Sequence, residues 1–235
     1  MDAIILAAGK GVRLQPYTLN TPKPLLEVQG RPILDHILTS LPQSVERLIV
    51  VVHYLAEQIE NYLRHQTHYK HWYAVHQNEA RGTGDALRCC QKFVQSDRIL
   101  VLNGDDLYSR EDLEKLAQCD AGLLVKTVMD PAKWGIVFPK PDGTLQSLIE
   151  KPKDLQGPQL ANIGAYLFPR TVFQYELQLS PRGEYEITDY VSHLAKEHTV
   201  HLIPTAFWYP IGNVEAWRSA QHLPLPKTQP RKPTN

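Results

Sequence analysis

The first half of the chain alternates short apolar segments with segments of helical periodicity. The apolar segments are Ala3–Ala7, Leu48–Val52, Trp72–Val75 and Ile99–Leu102. The segments with helical spacing are Ile33–Leu41, Ala56–Leu63 and Asp85–Phe93. Strands that alternate with helices in this way form βαβ units, and such units build parallel sheets that are buried on both faces. The pattern therefore predicts an α/β fold with a mainly parallel sheet.

The pattern changes after residue 120, where Pro, Asp and Gly separate the apolar runs. These runs are Gly122–Val128, Gly135–Phe138, Leu145–Ile149 and Ala165–Phe168. They predict antiparallel or mixed strands that extend the first sheet, so we expect residues 1–222 to form a single domain. Ahead of these runs, Ser109 and Asp112 resemble a capping box that begins a helix ending at Leu116. Residues 223–235 are rich in proline and basic residues, and we expect them to form a poorly packed tail.

Charge and composition exclude several classes of protein. The 235 residues carry 25 Lys and Arg against 25 Asp and Glu, a balance that argues against a nucleic-acid partner. No run approaches the roughly 18 apolar residues that span a bilayer. The start lacks the basic and apolar regions of a signal peptide, and the adjacent Cys89 and Cys90 fit reduced thiols. We therefore expect a cytoplasmic protein without a membrane partner, of unspecified oligomeric state.

A glycine-rich segment follows the first strand directly. Small residues at positions 7 to 9 and at Gly11 let backbone N–H groups surround an anion, as phosphate-binding loops require. The segment lacks the Gly-Lys-Ser/Thr ending of a Walker loop, and Leu14 stands where a dinucleotide fingerprint has its third glycine. Arg13 and, ten residues on, Lys23 add positive charge, and prolines on both sides of Lys23 stiffen its backbone. Together these features predict a phosphate site.

The segment resembles the N-terminal signature of the sugar-nucleotide nucleotidyltransferases (nucleotide-sugar pyrophosphorylases), which include glucose-1-phosphate thymidylyl- and uridylyltransferases. That signature is Leu-Ala-Ala-Gly-x-Gly-x-Arg-Leu-x-Pro-x-Thr followed by Pro-Lys-Pro-Leu, and every fixed position is present between Leu6 and Leu25. The resemblance implies a Rossmann-like, three-layer α/β/α nucleotide-diphospho-sugar transferase fold. It also implies that the nucleoside triphosphate contacts Leu6, Ala8, Gly9, Gly11, Arg13 and Lys23.

Later segments resemble the base-binding and sugar-binding motifs of the same family. Gln77, Gly82 and Thr83 match the segment that binds the base, in a form most similar to uridylyl and thymidylyl members, so UTP or dTTP is favoured over GTP. A glutamine amide suits a pyrimidine imide edge because it offers both a donor and an acceptor. The residues that match sugar-phosphate contacts are Gly135, Glu150, Lys151 and Asn162. The segment Glu184–Asp189 matches a stretch near the sugar pocket.

Asp105 follows the fourth predicted strand, at the edge of the sheet where ligands of open α/β folds bind. The resemblance makes Asp105 a metal ligand, and oxygen ligands with phosphates point to Mg²⁺. The family usually has a second metal-binding aspartate where this chain has Pro210. Three interpretations stay open: Mg²⁺ is held by Asp105 with phosphate and water oxygens, it is held with help from Asp106, Asn213 or Asp189, or catalysis is lost and binding is retained.

The resemblance implies an enzyme that transfers a nucleoside monophosphate from the triphosphate to a sugar 1-phosphate and releases pyrophosphate, with Arg13, Lys23 and Asp105 as catalytic residues. One alternative is a catalytically impaired homologue that binds a nucleotide or a nucleotide-sugar. Another is cytidylyl transfer to a non-sugar phosphate, and Glu150, Lys151 and Asn162 count against it because they match sugar-contacting positions.

Four histidines lie within twelve residues, which raises the possibility of a zinc site. They are His65, His68, His71 and His76. Because they extend over a predicted helix end, a loop and a strand, they lack the pairing on one helix face that zinc motifs show, and surface histidines are the better interpretation.

Overall fold

A computed structural model describes residues 1–226, so most of the predicted tail lies outside the described residues. The strands are β1 (Asp2–Leu6), β2 (Glu27–Val28), β3 (Arg31–Pro32), β4 (Arg47–Val52), β5 (His71–His76), β6 (Arg98–Asn103), β7 (Asp106–Tyr108), β8 (Gly122–Val128), β9 (Gly135–Pro139), β10 (Leu145–Glu150), β11 (Gln159–Pro169), β12 (His201–Pro204) and β13 (Trp208–Pro210). The α-helices are α1 (Ile33–Ser40), α2 (Ala56–His65), α3 (Thr83–Cys89), α4 (Arg110–Leu116), α5 (Ile187–Glu197) and α6 (Val214–Ala220).

One central sheet organises residues 1–226. Strands β5, β4, β1 and β6 pair side by side in parallel, with Ile4 of β1 opposite Ile49 and Val101. Strand β11 then pairs antiparallel with β6, and β9 and β10 continue the sheet beyond it. Strand β8 pairs with β11 and β12. The predictions of a parallel first half and of mixed strands added to it are both confirmed.

Helices cover both faces of this sheet. Successive side chains along each strand point to opposite faces. Ile5 and Val50 point to the face covered by α1, α2 and α4, within one buried apolar cluster. Ile4 and Ile49 point to the opposite face, where α3 and α5 form a second cluster. Strands β1, β4 and β6 are therefore buried on both faces, as their apolar sequence runs predict, and β5 lies at the sheet edge with exposed residues. The result is the predicted three-layer α/β/α arrangement.

Several elements differ from the sequence predictions. Helix α3 begins and ends earlier than predicted, at Thr83 and Cys89, and turns take the place of helix up to Phe93. Strand β11 is eleven residues long, and only its end was predicted. Gly164 has a φ of 75° within it, and the strand changes partner there, from β9 before the glycine to β6 after it. Helices α5 and α6 and strands β12 and β13 were not predicted.

The start of α4 is as predicted, with one difference in its hydrogen bonds. The Ser109 hydroxyl accepts a hydrogen bond from the Asp112 N–H at 3.4 Å. The Asp112 carboxylate, however, accepts hydrogen bonds from the Thr205 hydroxyl at 2.8 Å and the Ala206 N–H at 2.7 Å. The buried carboxylate therefore attaches the segment before β13 to this helix instead of completing a capping box.

The end of the described chain packs against the hairpin of β2 and β3. The Trp217 indole N–H donates to the Glu27 carbonyl at 2.8 Å, and the Gln29 amide donates to the Leu223 carbonyl at 2.8 Å. Leu223 and Leu225 also contact the apolar core. Within residues 1–226, no helix has the length and apolar character needed to cross a membrane.

Candidate active site

The carboxyl ends of β1 and β6 open into a cleft of about 910 Å³. Every site residue predicted from the sequence lines it except Gly11; the lining residues are Leu6, Ala8, Gly9, Arg13, Lys23, Gln77, Gly82, Thr83, Asp105, Gly135, Glu150, Lys151 and Asn162. Residues from both halves of the chain meet here, so the cleft is a property of the whole fold. The individual roles assigned from the sequence stay predictions.

Gly11 has a structural role beside the cleft. Its φ is 63°, a conformation that glycine adopts without strain. A Cβ atom at this position would lie 3.0 Å from Cγ2 of Thr18 and 3.1 Å from Cβ of Lys23. The Thr18 hydroxyl donates to the Gly11 carbonyl at 2.9 Å. The absence of a side chain therefore allows the glycine-rich loop and the lysine segment to pack together.

Lys23 and Asp105 form an ion pair in the cleft. Lys23 is buried at the start of a short 3₁₀ turn, and its Nζ lies 2.5 Å from Oδ2 of Asp105. The Asp105 side chain is 39% exposed. A buried ammonium group is stable only with a partner, and here a carboxylate supplies it. An anionic ligand in the cleft would compete with Asp105 for this ammonium group.

Asp106 is a second carboxyl group at this place; the residue is 5% exposed and lines the cleft. Its Oδ2 accepts hydrogen bonds from Nδ2 of Asn103 at 3.4 Å and from the Tyr108 hydroxyl and the Trp208 indole N–H, both at 3.3 Å. Burial, and then the neighbouring charge of Asp105, raise the pKa of Asp106 to about 7. All three donors contact Oδ2, so Oδ1 receives no hydrogen bond from the described residues.

Pro210 lies directly across from this acid pair. Strand β13 pairs antiparallel with β7, and Pro210 is opposite Asp106. The Ile211 N–H donates to the Asp105 carbonyl at 3.3 Å. The position where the family has its second metal-binding aspartate therefore adjoins Asp105 and Asp106, and it offers no side-chain oxygen.

The other substitute ligands considered from the sequence are less suitable. Asn213 lines the cleft, but its Oδ1 accepts the Ala216 N–H at 2.8 Å and caps α6. Asp189 does not line the cleft, and its Oδ2 accepts the Gln178 N–H at 3.0 Å. Of the three candidates, only Asp106 both lines the cleft and has a side-chain oxygen that accepts no hydrogen bond from residues 1–226.

The residues present fit a magnesium ion. Mg²⁺ usually binds one or two carboxylates and completes its shell with water and phosphate oxygens. Asp105 is accessible in the cleft, and Asp106 is adjacent to it. In the described part of the chain, no cluster of three or more His, Cys, Asp or Glu side chains is arranged to hold a metal. A site that depends on phosphate and water oxygens needs no such cluster.

The segment matched to base binding is held by several hydrogen bonds and close contacts. Gln77 is buried, and its Nε2 donates to the Gly82 carbonyl at 3.1 Å and to Oδ2 of Asp85 at 2.9 Å. Gly82 has a φ of 105°, and a Cβ there would lie 2.5 Å from the Tyr185 carbonyl oxygen. The Thr83 hydroxyl accepts the N–H of the first residue of α5 at 3.1 Å. The segment is thus attached to the start of α5.

The residues matched to sugar-phosphate binding come together from three strands. A Cβ at Gly135 would lie 3.0 Å from Oε2 of Glu150 and 3.5 Å from Nδ2 of Asn162, so glycine makes room for both side chains. Asn162 donates to the Tyr166 hydroxyl at 2.7 Å. The Lys151 ammonium lies 3.5 Å from Oε1 of Glu150. Burial is the largest effect on Glu150 and raises the pKa of its carboxyl group.

Sequence reasoning missed Arg182, which also lines this part of the cleft. Its Nη2 lies 2.5 Å from Oε1 of Glu186 and 3.7 Å from Oε1 of Glu150. A sequence signal for Arg182 lay nearby, because Glu184–Asp189 was matched to the sugar pocket and Arg182 precedes that segment by two residues. Asn103, which contacts Asp106, was also missed because asparagine after a strand is common in turns.

The four histidines do not converge. His68 Nε2 lies 2.9 Å from Oδ1 of Asp35, and His76 Nε2 lies 2.8 Å from Oε1 of Glu60. His65 contacts the carbonyl of Asn61, one turn earlier in α2. His71 begins β5 and is exposed. Each described histidine thus has separate surroundings.

The fold is a Rossmann-like α/β/α sandwich with a cleft at the carboxyl ends of β1 and β6. The family model described as nucleotidyl transferase matches residues 2–224, and the chain belongs to this family, among the sugar-nucleotide nucleotidyltransferases.

Two relatives differ in how much of their own length this chain matches. The bifunctional protein GlmU of Methanocaldococcus jannaschii is 36% identical over 215 residues, which are 90% of this chain and 51% of that protein. The chain therefore spans about half the length of the GlmU relatives it matches. The UTP–glucose-1-phosphate uridylyltransferase AglF of Haloferax volcanii is 32% identical over 243 residues, which are 94% of this chain and 97% of that protein.

Solved structures share the fold. A Bacillus anthracis protein assigned as a glucose-1-phosphate thymidylyltransferase, crystallised in complex with a sucrose, has a TM-score of 0.81 at 28% identity over 97% of this chain and 98% of that chain. A UDP-glucose pyrophosphorylase complexed with UDP-glucose has a TM-score of 0.83 over 94% of this chain and 97% of that chain. At 21% identity, the second comparison concerns the fold alone.

Proposed function

We propose that this protein transfers a nucleoside monophosphate from UTP or dTTP to a sugar 1-phosphate, forming a nucleotide-sugar and releasing pyrophosphate. The observation that carries the proposal is the single cleft. It joins the glycine-rich loop with Lys23 and Asp105 to the cluster of Glu150, Lys151 and Asn162.

The chemistry needs positioning and charge neutralisation more than proton transfer. A phosphate oxygen of the sugar 1-phosphate is already anionic, so it attacks the α-phosphorus in line without a strong general base. Arg13 and Lys23 stabilise the triphosphate charge, and Lys151 orients the attacking phosphate. Asp105 would hold Mg²⁺, which when bound would supply further charge neutralisation. Of the two ways to complete the metal site, we favour Asp105 with Asp106, because Oδ1 of Asp106 accepts no hydrogen bond from residues 1–226.

One observation favours a second function. Pro210 lies opposite Asp106 and removes the oxygen that relatives usually place there. A homologue with impaired catalysis would still bind a nucleotide or nucleotide-sugar in the same cleft.

Pyrophosphate release separates the two functions. We would assay the purified chain with Mg²⁺, a panel of triphosphates including CTP, and a panel of sugar 1-phosphates and an alcohol phosphate. We expect turnover with UTP or dTTP and a sugar 1-phosphate. Binding of a nucleotide-sugar without turnover of any pair would instead identify the impaired homologue, and turnover of CTP with the alcohol phosphate would identify the cytidylyl alternative.

Variants of the ion pair test the assigned roles. Lys23→Ala and Asp105→Asn each remove one charge, and we expect each to lower kcat/KM at least about 100-fold, as loss of a stabilising group does in other active sites. Lys10→Ala is the matched control, because Lys10 is exposed in the same loop and does not line the cleft. Near-full activity of Asp105→Asn would show that the metal assignment is wrong.

A further inference from the structure

The orientation of the Gln77 side-chain amide is determined by its two partners. Its Nε2 donates to the carbonyl oxygen of Gly82 at 3.1 Å and to Oδ2 of Asp85 at 2.9 Å. A carbonyl oxygen and a carboxylate are acceptors, so each of them requires an N–H group from the amide. Both N–H groups of the Gln77 amide therefore donate to acceptors within the protein.

The oxygen of the same amide is open to the cleft. Gln77 lines the cleft, and its Oε1 receives no hydrogen bond from residues 1–226. Every fully buried side-chain nitrogen and oxygen in that part of the chain has a hydrogen-bond partner. Because Oε1 has none, it is not fully buried, and it is accessible from the cleft. Gln77 thus presents an acceptor to a bound base, and it has no donor left to offer.

An acceptor at this place discriminates between pyrimidines. Uracil and thymine carry a proton on N3 and can donate to Oε1. Cytosine has a lone pair on N3, which would face the lone pairs of Oε1. A site whose polar groups are matched to one hydrogen-bonding pattern rejects the unmatched pattern strongly.

We propose that Asp85 is a positioning residue that sets the base preference, because it holds Gln77 in the orientation that accepts N3–H of uracil or thymine. Asp85 is buried and does not line the cleft, so it acts through Gln77. This inference rests on the proposed nucleotide site and deepens it by naming a residue that sets the preference for uracil or thymine.

Asp85 is itself held in place. Its Oδ1 lies 2.6 Å from Nη2 of Arg88, on the same helix. The Arg88 guanidinium stacks over the ring of Tyr185, with its carbon 5.1 Å from the ring centre. The carbonyl of Gly82 also accepts the Ala86 N–H at 3.1 Å, so the second partner of Gln77 is fixed by the first turn of α3. A rotation of the Gln77 amide would place its oxygen against two acceptors.

Equilibrium binding of UTP and CTP tests the proposal. We would measure both dissociation constants by calorimetry on the full chain with Mg²⁺ and without a sugar phosphate. We expect the wild type to bind UTP at least about tenfold more tightly than CTP. In Asp85→Ala, one N–H of Gln77 loses its partner and only the Gly82 carbonyl still opposes rotation of the amide, so we expect the ratio to fall at least about fivefold.

Two further variants make the result specific. Asp85→Asn keeps the shape of the side chain and an oxygen that accepts more weakly than a carboxylate, so its ratio should lie between those of the wild type and Asp85→Ala. The asparagine variant also allows the UTP-to-CTP affinity ratio to be measured if the alanine variant does not fold. Arg81→Ala is the control, because Arg81 is an exposed cation paired with Glu79 on the same loop and should leave the ratio unchanged.

The outcomes are distinct. Equal loss of UTP and CTP affinity in Asp85→Ala would show a merely structural role, and an unchanged ratio in both Asp85 variants would also overturn the proposal. A wild type that prefers CTP would overturn it while leaving nucleotidyl transfer intact. If the wild type binds no nucleotide, the proposed function itself fails.

Discussion

Gly9 and Gly11 occupy similar positions in the sequence motif but have different surroundings. A Cβ at Gly9 would have no atom within 4 Å, and Gly9 lines the cleft. Gly11 has a positive φ and lies against Thr18 and Lys23. Sequence reasoning placed both at the triphosphate because the motif contains both. The structure separates a residue that faces the ligand space from one that allows the loop to pack.

Alanine substitutions should therefore affect different properties. Gly11→Ala should lower the free energy of unfolding by about 1–3 kcal/mol, because alanine is strained at this φ and contacts Thr18 and Lys23. Gly9→Ala should leave stability within about 0.5 kcal/mol and weaken UTP binding, because a methyl group obstructs approach of phosphate to the backbone. Urea denaturation and calorimetry measure the two effects. Wild-type affinity in Gly9→Ala would mean that phosphate does not approach the loop there.

At the scale of elements, a partly buried carboxylate joins β3, α1 and α2. Asp35 of α1 accepts hydrogen bonds from Arg31, the Tyr62 hydroxyl at 2.8 Å and His68, whose Nε2 lies 2.9 Å away. Burial by itself would raise the pKa of Asp35, but the hydrogen bonds from His68, Arg31 and Tyr62 outweigh it and hold the pKa well below its usual range. This network explains His68, which the sequence presented only as one of four nearby histidines.

The network predicts a pH-dependent contribution to stability. A carboxyl group whose pKa is lowered by folding stabilises the native state above its unfolded pKa of about 3.9, and the contribution is lost as pH falls toward the folded pKa. Asp35→Asn should therefore lower the free energy of unfolding by about 1–3 kcal/mol at pH 7. The difference from the wild type should shrink below about pH 4. Denaturant titrations at several pH values measure it, and a constant difference would contradict the assignment.

The elements of the second half were harder to predict than those of the first. Strands β1, β4 and β6 are buried on both faces by helices and appear in the sequence as continuous apolar runs, whereas β5 is an edge strand with several exposed residues. Strand β11 changes partner at Gly164, so its pattern follows no single alternation. Strand β13 has three residues, and its pairing with β7 depends on a contact between segments about 100 residues apart.

At the scale of the molecule, the cleft depends on contacts between the two halves of the chain. The Tyr185 N–H donates to the Arg81 carbonyl and the Gly84 N–H donates to the Tyr185 carbonyl, both at 2.8 Å. The base segment of the first half is therefore held by the start of α5 in the second. A ligand in the cleft should stabilise both halves together.

Thermal unfolding tests this coupling. UTP at about 100 times its dissociation constant adds about 2.7 kcal/mol to the free energy of unfolding, which should raise Tm by about 5–10 °C in one cooperative transition. The Lys23→Ala variant should lose most of this shift. Two separate transitions, of which UTP moves only one, would show that the halves unfold independently.

The sequence alone specified the fold class, the family and thirteen of the residues that line the cleft. It could do so because periodicity reports burial locally and because the glycine-rich motif, Lys23 and Asp105 lie in recognisable segments. The amide orientation of Gln77, the network of Asp35, the place of Arg182 and the pairing of Pro210 with Asp106 depend on the folded chain. Three of these features are contacts between segments that lie apart in the sequence, and the fourth is the orientation of an amide between donor and acceptor. All four depend on neighbouring residues that only the packing of the whole chain brings together.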